Sequence, residues 1–468
     1  MKIANLEVKG ITCNSKAVKK GFVFVAVKGV RQDGSCFIKE AIANGASLVV
    51  AQGKIPKIKI PDNVKIFKVK DCRMFLAEAC AEFYGRPSDK LKVVGITGTN
   101  GKTTISYLIE AMVNESGCDC GVIGTINYRF KGKKIAAKNT TPGPVELQGL
   151  LAEMHAQRIK YCAMEVSSHA LDQDRILGVN FSWAIFTNLT QDHLDYHKNL
   201  ENYFLAKLKL FRALPDSGTA ILNSDDKYSN RIKQLIQARS MSYGIENKAT
   251  VMAKDIDYKI EGTEFTLVAP GANLRIKTGL IGRHNIYNIL AAISWAISEG
   301  LYPKDIKSSI EKFKIVPGRL EKISCKKGYN VFVDYAHTPD ALFNIISALR
   351  PLVSGKIIVI FGCGGERDKL KRPKMGKIVT SLADYAIITS DNPRSEDPLR
   401  IIRDIRRGIS KKNYCEIPDR FKAIKAGLAL TKNDDCLIIA GKGHESYQVL
   451  KNRVLYFSDR KAVEKCLR

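Results

Sequence analysis

The sequence lacks the features that would mark a membrane, secreted or zinc-binding protein. No apolar run reaches the roughly 18 residues that cross a bilayer. The amino-terminal stretch MKIANLEVKGITC has no apolar signal-peptide core. The 12 cysteines form no C-x-x-C pair, and the closest two, Cys118 and Cys120, are separated by a single residue. We therefore expect a cytoplasmic protein with reduced thiols and no membrane span.

Acidic residues are scarce relative to basic ones, with 47 Asp and Glu against 75 Lys and Arg, a net charge of +28. Such a balance favours anionic partners, either nucleic acid or nucleotide-type small molecules. The basic residues are spread along the chain, and no aromatic stacking platform accompanies them. We interpret most of these charges as solvated surface lysines, and we expect small-molecule substrates and no nucleic acid.

Internal repeats and low-complexity segments are absent, and the chain divides into three blocks. Residues 1–90 hold short β-like runs and end at the break Arg86-Pro87-Ser88. In residues 91–317 buried strands alternate with helices, which predicts a mainly parallel sheet, and residues 250–278 alternate like hairpins. Residues 318–468 predict a second doubly wound unit. The expected fold class is therefore α/β with three domains.

The stretch TGTNGKTT, residues 97–104, joins a predicted strand to a predicted helix. The usual phosphate-loop pattern requires glycine at position 96, where this chain has Ile96. Glycines still let backbone amides turn towards an anion, and the helix N-terminus adds partial positive charge. Lys102 can bridge terminal phosphates, and the Thr103 hydroxyl can ligate Mg²⁺. We predict a shortened triphosphate-binding loop made of Gly98, Thr99, Asn100, Gly101, Lys102, Thr103 and Thr104.

Further motifs follow this loop along the chain. They are MEVSSHALDQDRI from residue 164, FTNLTQDHLDYH from 186, YFLAKL from 203, GRHNIYN from 282, PGRLE from 317, DYAHTPDAL from 334, FGCGGERDKLKRPKMG from 361, SDNPRSEDP from 390 and GKGHE from 441. With the loop, they resemble the Mur ligase family, which builds the peptide of bacterial cell-wall precursors, over nearly all 468 residues. The resemblance implies an amino-terminal uridine-binding α/β domain (1–90), a central P-loop ATPase domain (91–317) and a carboxy-terminal Rossmann-like ligase domain (318–468).

The resemblance also implies an activity. We expect an ATP- and Mg²⁺-dependent ligase of peptidoglycan precursor synthesis, acting as a monomer. It would add meso-2,6-diaminopimelate to the D-glutamyl γ-carboxylate of UDP-N-acetylmuramoyl-L-alanyl-D-glutamate through an acyl phosphate. The catalytic residues implied are Lys102, Lys207 and His193, and the base that deprotonates the incoming amine stays open.

Magnesium and lysine modification follow from the same resemblance. It implies that Thr103, Glu165 and His193 hold magnesium and that Lys207 is N6-carboxylysine. Glu165 also ends a predicted strand, at the edge where parallel sheets bind ligands. Because CO₂ adds only to a neutral amine, the pKa of Lys207 would have to fall from about 10.4, by burial or by nearby cations.

Nucleotide recognition is expected where the second and third blocks meet. The resemblance implies that Asn285 and Asn288 approach the nucleobase, Arg319 the phosphates and Asp334 the ribose hydroxyls. His284 stands where family members often have phenylalanine.

The muramoyl substrate is expected to contact the first two blocks. In CNSK, Asn14 and Lys16 replace the Asp and Arg usual in the family, and lysine lacks the guanidinium fork. The residues implied for this substrate are Ser15, Thr140, Thr141, Ser167, Gln173 and Arg175.

The incoming amino acid is expected in the last block. In the family, Asp-Asn-Pro-Arg marks enzymes that add meso-diaminopimelate, and lysine-adding relatives lack this arginine. The extra carboxylate of diaminopimelate can pair bidentately with arginine, whereas lysine would leave a buried arginine unpaired at a cost of about 3–5 kcal/mol. The same four residues also fit a type I turn. The residues implied are Arg367, Asp391, Asn392, Arg394, Gly441 and Glu445.

Four alternatives remain at this stage. The lysine-adding version of the same ligase is opposed by Arg394, and a folylpolyglutamate-type ligase by the uridine-type first block. A P-loop nucleic-acid translocase would explain the net charge, but it would need a typical phosphate loop and a Walker B strand. An idle scaffold would fit the altered Asn14-Ser15-Lys16, but it would not need Lys102, Glu165, His193 and Lys207 together.

Overall fold

A computed structural model describes residues 2–3, 6–29, 32–53, 55 and 57–467 of the protein. The chain forms α/β units that follow one another in sequence, and we call them the first, central and last layers. The first layer contains a parallel sheet with the order β3-β4-β5-β6, and β1 and β2 form a separate antiparallel pair. The strands are β1 Lys2–Ile3, β2 Leu6–Glu7, β3 Gly10–Thr12, β4 Phe22–Val25, β5 Ala46–Ala51 and β6 Lys65–Lys68, and the helices are α1 Ile38–Ala43 and α2 Cys72–Phe83.

The central layer contains a large sheet with the order β10-β9-β8-β11-β7-β12-β13-β14-β15-β16-β17. It is parallel from β8 to β15 and antiparallel at both ends. The strands are β7 Lys92–Thr97, β8 Cys120–Ile123, β9 Asn127–Phe130, β10 Lys133–Ala136, β11 Tyr161–Glu165, β12 Trp183–Phe186, β13 Thr219–Asn223, β14 Arg239–Gly244, β15 Val251–Lys259, β16 Gly262–Ala269 and β17 Ala272–Thr278. The helices are α3 Lys102–Glu115, α4 Pro144–Ala156, α5 Ser168–Asp172, α6 Leu194–His197, α7 Leu200–Arg212, α8 Tyr228–Gln234, α9 Arg283–Glu299 and α10 Pro303–Lys312.

The last layer contains a sheet with the order β18-β19-β23-β20-β21-β22, parallel except for β18, together with an antiparallel hairpin, β24-β25. The strands are β18 Glu321–Ile323, β19 Asn330–Asp334, β20 Ile357–Phe361, β21 Tyr385–Ile388, β22 Tyr414–Glu416, β23 Cys436–Ala440, β24 Tyr447–Leu450 and β25 Arg453–Tyr456. The helices are α11 Pro339–Leu349, α12 Lys371–Leu382, α13 Pro398–Arg406, α14 Arg420–Leu430 and α15 Asp459–Leu467.

The largest sheet of each layer has buried cores on both faces, so its middle strands are mostly apolar. In β7, Val94 and Ile96 face the core under α3 and α9, whereas Val93 faces the opposite core under α4 and α7. Burial on both faces explains why these strands appear in the sequence as continuous apolar runs. The chain leaves each parallel strand at the same edge, which gathers the loops after β7, β11 and β12.

The expected α/β class with a mainly parallel central sheet is confirmed. Hairpin strands β15–β17 lie in the 250–278 segment, as expected. The sequence did not predict β8–β10 or the β24-β25 hairpin, because they are short and their outer strands are half-exposed or exposed. Over the described ranges, none of the helices combines the length and the apolar character required to span a bilayer.

Candidate active site

The phosphate-loop candidate between β7 and α3 depends on two glycines in the left-handed region. Gly98 has φ +148°, and a Cβ there would lie 1.8 Å from the Thr187 hydroxyl oxygen. Gly101 has φ +93°, and its Cβ would lie 2.3 Å from Asn288 Oδ1. A side chain at either place would collide with the neighbouring segment. The loop is therefore packed closely against the segment after β12 and against α9.

Two lysines converge on one carbonyl oxygen of this loop. Lys102 Nζ donates to Gly98 O and to Thr99 O, each at 2.8 Å, and Lys207 Nζ donates to the same Gly98 O at 2.9 Å. Lys207 extends from α7, is 1% exposed, and places Nζ 4.4 Å from the Tyr203 ring centroid. Burial, and then the charge of Lys102, hold the pKa of Lys207 well below its usual value. Burial also lowers the pKa of Lys102.

An oxygen-rich cluster lies beside these lysines at the carboxyl ends of β8 and β11. The Thr103 hydroxyl donates to Glu165 Oε2 at 3.0 Å, and the Thr125 hydroxyl donates to the same oxygen at 2.8 Å. The Thr125 backbone N–H donates to Glu165 Oε1 at 3.0 Å. Arg319 crosses from the last layer and donates to the Thr103 hydroxyl at 3.0 Å. The cluster therefore joins hard oxygen ligands to a cation from another domain.

His193, in the turn after β12, has a strained backbone. Its φ is +54°, in a region that non-glycine residues adopt at a cost of about 1–3 kcal/mol and mostly at functional sites. Its Nε2 lies 3.4 Å from Asp192 Oδ2, and Asp192 also faces Lys371 of α12 at 3.7 Å. Burial lowers the pKa of His193 to about 3, so its imidazole is neutral near pH 7. In the described ranges no hydrogen bond joins His193 to Glu165.

A cavity of about 300 Å³ opens between the central layer and the last one. Asn288 Nδ2 donates to Asn285 Oδ1 at 3.1 Å, and Asn285 Nδ2 donates to Ile281 O at 2.9 Å. Both carboxylate oxygens of Asp334 accept backbone N–H bonds, from Leu320 and Ala336. Of the residues predicted for the nucleotide, the cavity is lined by Asn100, Gly101, Thr103, Thr104, Asn285, Asn288, Arg319 and Asp334. Those that do not line it are Gly98, Thr99 and Lys102.

The residues predicted for the muramoyl substrate form one network, with a single exception. Thr141 Oγ1 donates to Glu165 O at 2.8 Å and accepts the Ser167 N–H at 3.0 Å. Arg175 donates to Thr141 O at 3.1 Å and to Gln173 Oε1 at 2.6 Å.

Thr140 Oγ1 lies 3.1 Å from Thr125 Oγ1 and so joins the network to the oxygen cluster. The exception is Ser15, which is buried in the first layer and donates to Glu40 Oε2 at 2.5 Å.

The residues predicted for the amino acid surround the loops after β20, β21 and β23. Arg394 has φ +54° and donates to Gly365 O at 2.7 Å. Burial and the nearby Arg367 charge lower its pKa. Asn392 Nδ2 donates to Glu445 Oε2 at 2.8 Å.

Gly441 and Asp391 complete this set. Gly441 has φ +116°, and a Cβ there would lie 2.7 Å from Asp391 Oδ2. That oxygen is buried without a hydrogen-bond partner in the described part of the chain.

Several residues of these clusters were missed from the sequence. Asp192, Lys371 and Lys442 lie inside the motifs given above. The Asp192–Lys371 pair joins the central and last layers, whereas Lys442 pairs with Glu445 three residues along the chain. Thr125 belongs to no motif, and its place beside Glu165 depends on the pairing of β8 with β11. The described residues contain no group of three or more His, Cys, Asp or Glu side chains able to hold a metal ion.

Family models match three consecutive parts of the chain. The model described as "Mur ligase family, catalytic domain" matches residues 7–84. The model described as "Mur ligase middle domain" matches residues 96–296, and that described as "Mur ligase, glutamate ligase domain" matches residues 318–443.

Curated relatives and a solved structure extend over almost the whole chain. A protein of Clostridium botulinum named UDP-N-acetylmuramoyl-L-alanyl-D-glutamate–2,6-diaminopimelate ligase is 41% identical over 99% of this chain and 95% of its own. A Bacillus velezensis protein of the same name is 42% identical over 97% of this chain and 93% of its own. A solved structure of a ligase of that name has a TM-score of 0.69 and 31% identity, covering 99% of this chain and 97% of its own. The family expected from the motifs is confirmed: the chain belongs to the Mur ligase family.

Proposed function

We propose that the protein is an ATP-dependent ligase that adds meso-2,6-diaminopimelate to the D-glutamyl γ-carboxylate of UDP-N-acetylmuramoyl-L-alanyl-D-glutamate. It acts in the cytoplasm, as a monomer, in peptidoglycan precursor synthesis. The observation that carries the proposal is the convergence of Lys102 and Lys207 on the Gly98 carbonyl, beside the Thr103–Glu165 pair. The relatives that carry this name at 41–42% identity support it.

Phosphoryl transfer depends on the loop and on two cations. The amides of Gly98 to Thr103 cradle the triphosphate at the N-terminus of α3. Lys102 and Arg319 neutralise charge on the γ-phosphoryl group while an oxygen of the glutamyl carboxylate attacks it and ADP leaves. Because Arg319 comes from the last layer, the site is complete only when that layer contacts the central one.

The residues around Glu165 fit magnesium. Magnesium in nucleotide sites is held by one or two carboxylates, with phosphates and water completing an octahedron. Thr103 Oγ1 and Glu165 Oε2 supply oxygen ligands of this kind, so a larger acidic cluster is not required. When bound, the ion would supply Lewis-acid neutralisation of the phosphate charge. His193, whose imidazole is kept neutral near pH 7 by burial, is proposed as a further ligand of magnesium.

Lys207 is proposed to carry a carbamate. Its amine is buried, and its low pKa keeps an unprotonated fraction that can add CO₂. The product is a carboxylate at the point where Lys102 and His193 approach. It would replace a like-charge contact between two lysines by an ion pair with Lys102, which favours the modified form.

The acyl phosphate is then consumed by the incoming amine. The nitrogen attacks the acyl carbon, the carbon–oxygen bond to phosphate breaks, and inorganic phosphate leaves as the nitrogen loses its proton. The muramoyl peptide is held by the network of Thr141, Ser167 and Arg175, which adjoins Glu165 through Thr141. The carboxylate therefore lies near the phosphate loop rather than in the first layer.

Amino-acid selection is proposed for the loop after β21. Arg394 and Arg367 place two guanidinium groups together, and their mutual repulsion is relieved by a carboxylate. Diaminopimelate has a distal carboxylate that lysine lacks. Glu445 lies on the opposite side of Asn392 and supplies a negative charge for the distal ammonium.

A panel of amino acids tests the proposal. Purified protein is given ATP, Mg²⁺ and UDP-N-acetylmuramoyl-L-alanyl-D-glutamate, and released phosphate is counted with meso-diaminopimelate, L-lysine, L-ornithine or no amino acid. We expect release with meso-diaminopimelate alone. Equal release with lysine would replace the specificity assignment by that of the lysine-adding ligase. Release stimulated by DNA without any amino acid would favour a translocase instead.

A further inference from the structure

A lysine with no assigned role lies inside the amino-acid pocket. Lys442 follows Gly441 at the end of β23, and its side chain is 0% exposed. Its Nζ donates to Glu445 Oε2 at 2.9 Å and to Asn392 Oδ1 at 3.2 Å. A buried ammonium is costly unless nearby acceptors satisfy it, and both acceptors here belong to the residues proposed for the amino acid.

The contacts of Asn392 fix the orientation of its amide. Oδ1 accepts from Lys442 Nζ and also from the Val449 backbone N–H at 2.9 Å. Nδ2 must then point to the other side, where it donates to Glu445 Oε2 at 2.8 Å. Flipping the amide would set two donors against Lys442 and Val449, so the orientation shown is the only one that satisfies these groups.

The hydrogen bonds of Glu445 with Lys442 and Asn392 both use the same carboxylate oxygen. Lys442 and Asn392 both donate to Oε2, so the network commits that oxygen and leaves Oε1 to accept from a bound ligand. The side chain of Glu445 is 13% exposed, so a small molecule can reach it. The hydrogen bonds therefore aim one oxygen of the carboxylate into the pocket.

The same network reaches the arginine that distinguishes amino acids. Strand β24 accepts the Arg394 backbone N–H at Val449 O, 3.0 Å away, and Gln448 donates to Asp391 O at 2.7 Å. Arg394 has a left-handed backbone, which needs such external support. Lys442 therefore lies at the centre of a unit that connects Glu445, Asn392 and the strand holding Arg394.

We propose that Lys442 is a positioning residue of the amino-acid pocket, which orients Glu445 and Asn392 as one unit towards the distal ammonium of the bound amino acid. The inference rests on the proposed function and deepens it. Replacing Lys442 by an apolar side chain leaves the Glu445 carboxylate short of a partner and free to rotate. Recognition of the distal ammonium weakens, whereas the triphosphate site, on another domain, keeps its contacts.

The test uses the full-length protein with Lys442→Met and Lys442→Gln. For the Met variant we expect the KM for meso-diaminopimelate to rise roughly 30-fold or more, the loss typical of truncating one partner of a buried charge pair. The KM for ATP should stay within about 2-fold. The Gln variant, which keeps a donor, should recover part of the loss. Lys411→Met, at an exposed lysine of the same domain that donates to Ser381 O, is the control.

Two outcomes for the variants decide against the inference. A folded Met variant with an unchanged KM for meso-diaminopimelate overturns it. Failure of both variants to fold assigns Lys442 a purely structural role and also overturns it. A wild-type protein that releases phosphate with meso-diaminopimelate establishes the proposed function whatever the variants do. A wild-type protein that turns over no amino acid removes the proposed function and this inference together.

Discussion

The buried lysines of the phosphate loop and of the amino-acid pocket have different hydrogen-bond partners. Lys102 and Lys207 donate to backbone carbonyls of the loop, and burial lowers the pKa of each. Lys442 instead pairs with a carboxylate at 2.9 Å. The first site therefore gains most when an anion arrives or a carbamate forms, whereas the second is already balanced and serves to aim its groups. The first site is suited to phosphoryl transfer, and the second is suited to selecting the amino acid.

The largest effect on activity is expected from replacing Lys102, the lysine of the phosphate loop. In Lys102→Ala, the γ-phosphoryl group loses its direct cation, and we expect ADP formation to fall by about 10³-fold or more. Steady-state ADP release with both acceptors measures this. Lys209→Ala, at a half-exposed lysine of α7 paired with Asp174, should be indistinguishable from wild type. Substantial turnover by Lys102→Ala would remove the loop from the mechanism.

Carbamylation of Lys207 should make the activity depend on CO₂. In buffers stripped of CO₂, we expect wild-type turnover to decline and added bicarbonate to restore it. Lys207→Gln, which cannot be carbamylated, should lose roughly 10²-fold or more and should not respond to bicarbonate. Lys207 left unmodified in fully active enzyme, as seen in an electron-density map, would contradict the proposal.

Replacing Arg394 in the amino-acid pocket should have a smaller effect, confined to the KM for the amino acid. Arg394→Ala removes one half of a buried charge pair with the substrate, so we expect about 2–5 kcal/mol, or roughly 30-fold or more, in the KM for meso-diaminopimelate. The KM for ATP should not change. Arg407→Ala, at an exposed arginine beside Asp404, is the matched control. A parallel rise in both KM values would indicate a disturbed fold rather than lost recognition.

The smallest effect concerns stability at low pH. Burial lowers the pKa of His284 to about 4, whereas an unfolded histidine titrates near 6.5. The unfolded state therefore takes up the proton first, and stability present above pH 6.5 is lost as the pH falls towards 4. Between pH 6.5 and 5 this loss is about 1–2 kcal/mol. In His284→Phe, urea unfolding should show a correspondingly smaller decline, and an identical decline would exclude His284 as its source.

The sequence predicted the features that are encoded within short segments of the chain. The buried strands and the glycine loop are local patterns, and they lie where the parallel-sheet rules predict. The type I turn expected over Asp-Asn-Pro-Arg is wrong. The Arg394 N–H bonds to Val449 O, and the hydrogen-bonded turn runs from Pro393 to Glu396 with Arg394 at φ +54°. Contacts between segments far apart in sequence could not be predicted in this way. Gly98 meets Lys207 across 109 residues, and Lys442 meets Asn392 across 50.

The neighbours of His193 and Glu165 show the same limit. Both follow strands of one sheet, yet the turn after β12 directs His193 towards Asp192 and α12. Ser15 lies in the first layer, the block expected to contact the uridine end of the substrate, but the sequence did not predict its hydrogen bond to Glu40. Strand order predicts which edge a residue occupies, and side-chain packing decides which neighbour it meets.

Oxygen transfer tests the central claim most directly. UDP-N-acetylmuramoyl-L-alanyl-D-glutamate labelled with ¹⁸O in its γ-carboxylate is turned over with ATP, Mg²⁺ and meso-diaminopimelate, and the released phosphate is analysed by mass spectrometry. If the carboxylate attacks the γ-phosphoryl group, each phosphate carries one labelled oxygen. Unlabelled phosphate accompanying product formation would contradict the account.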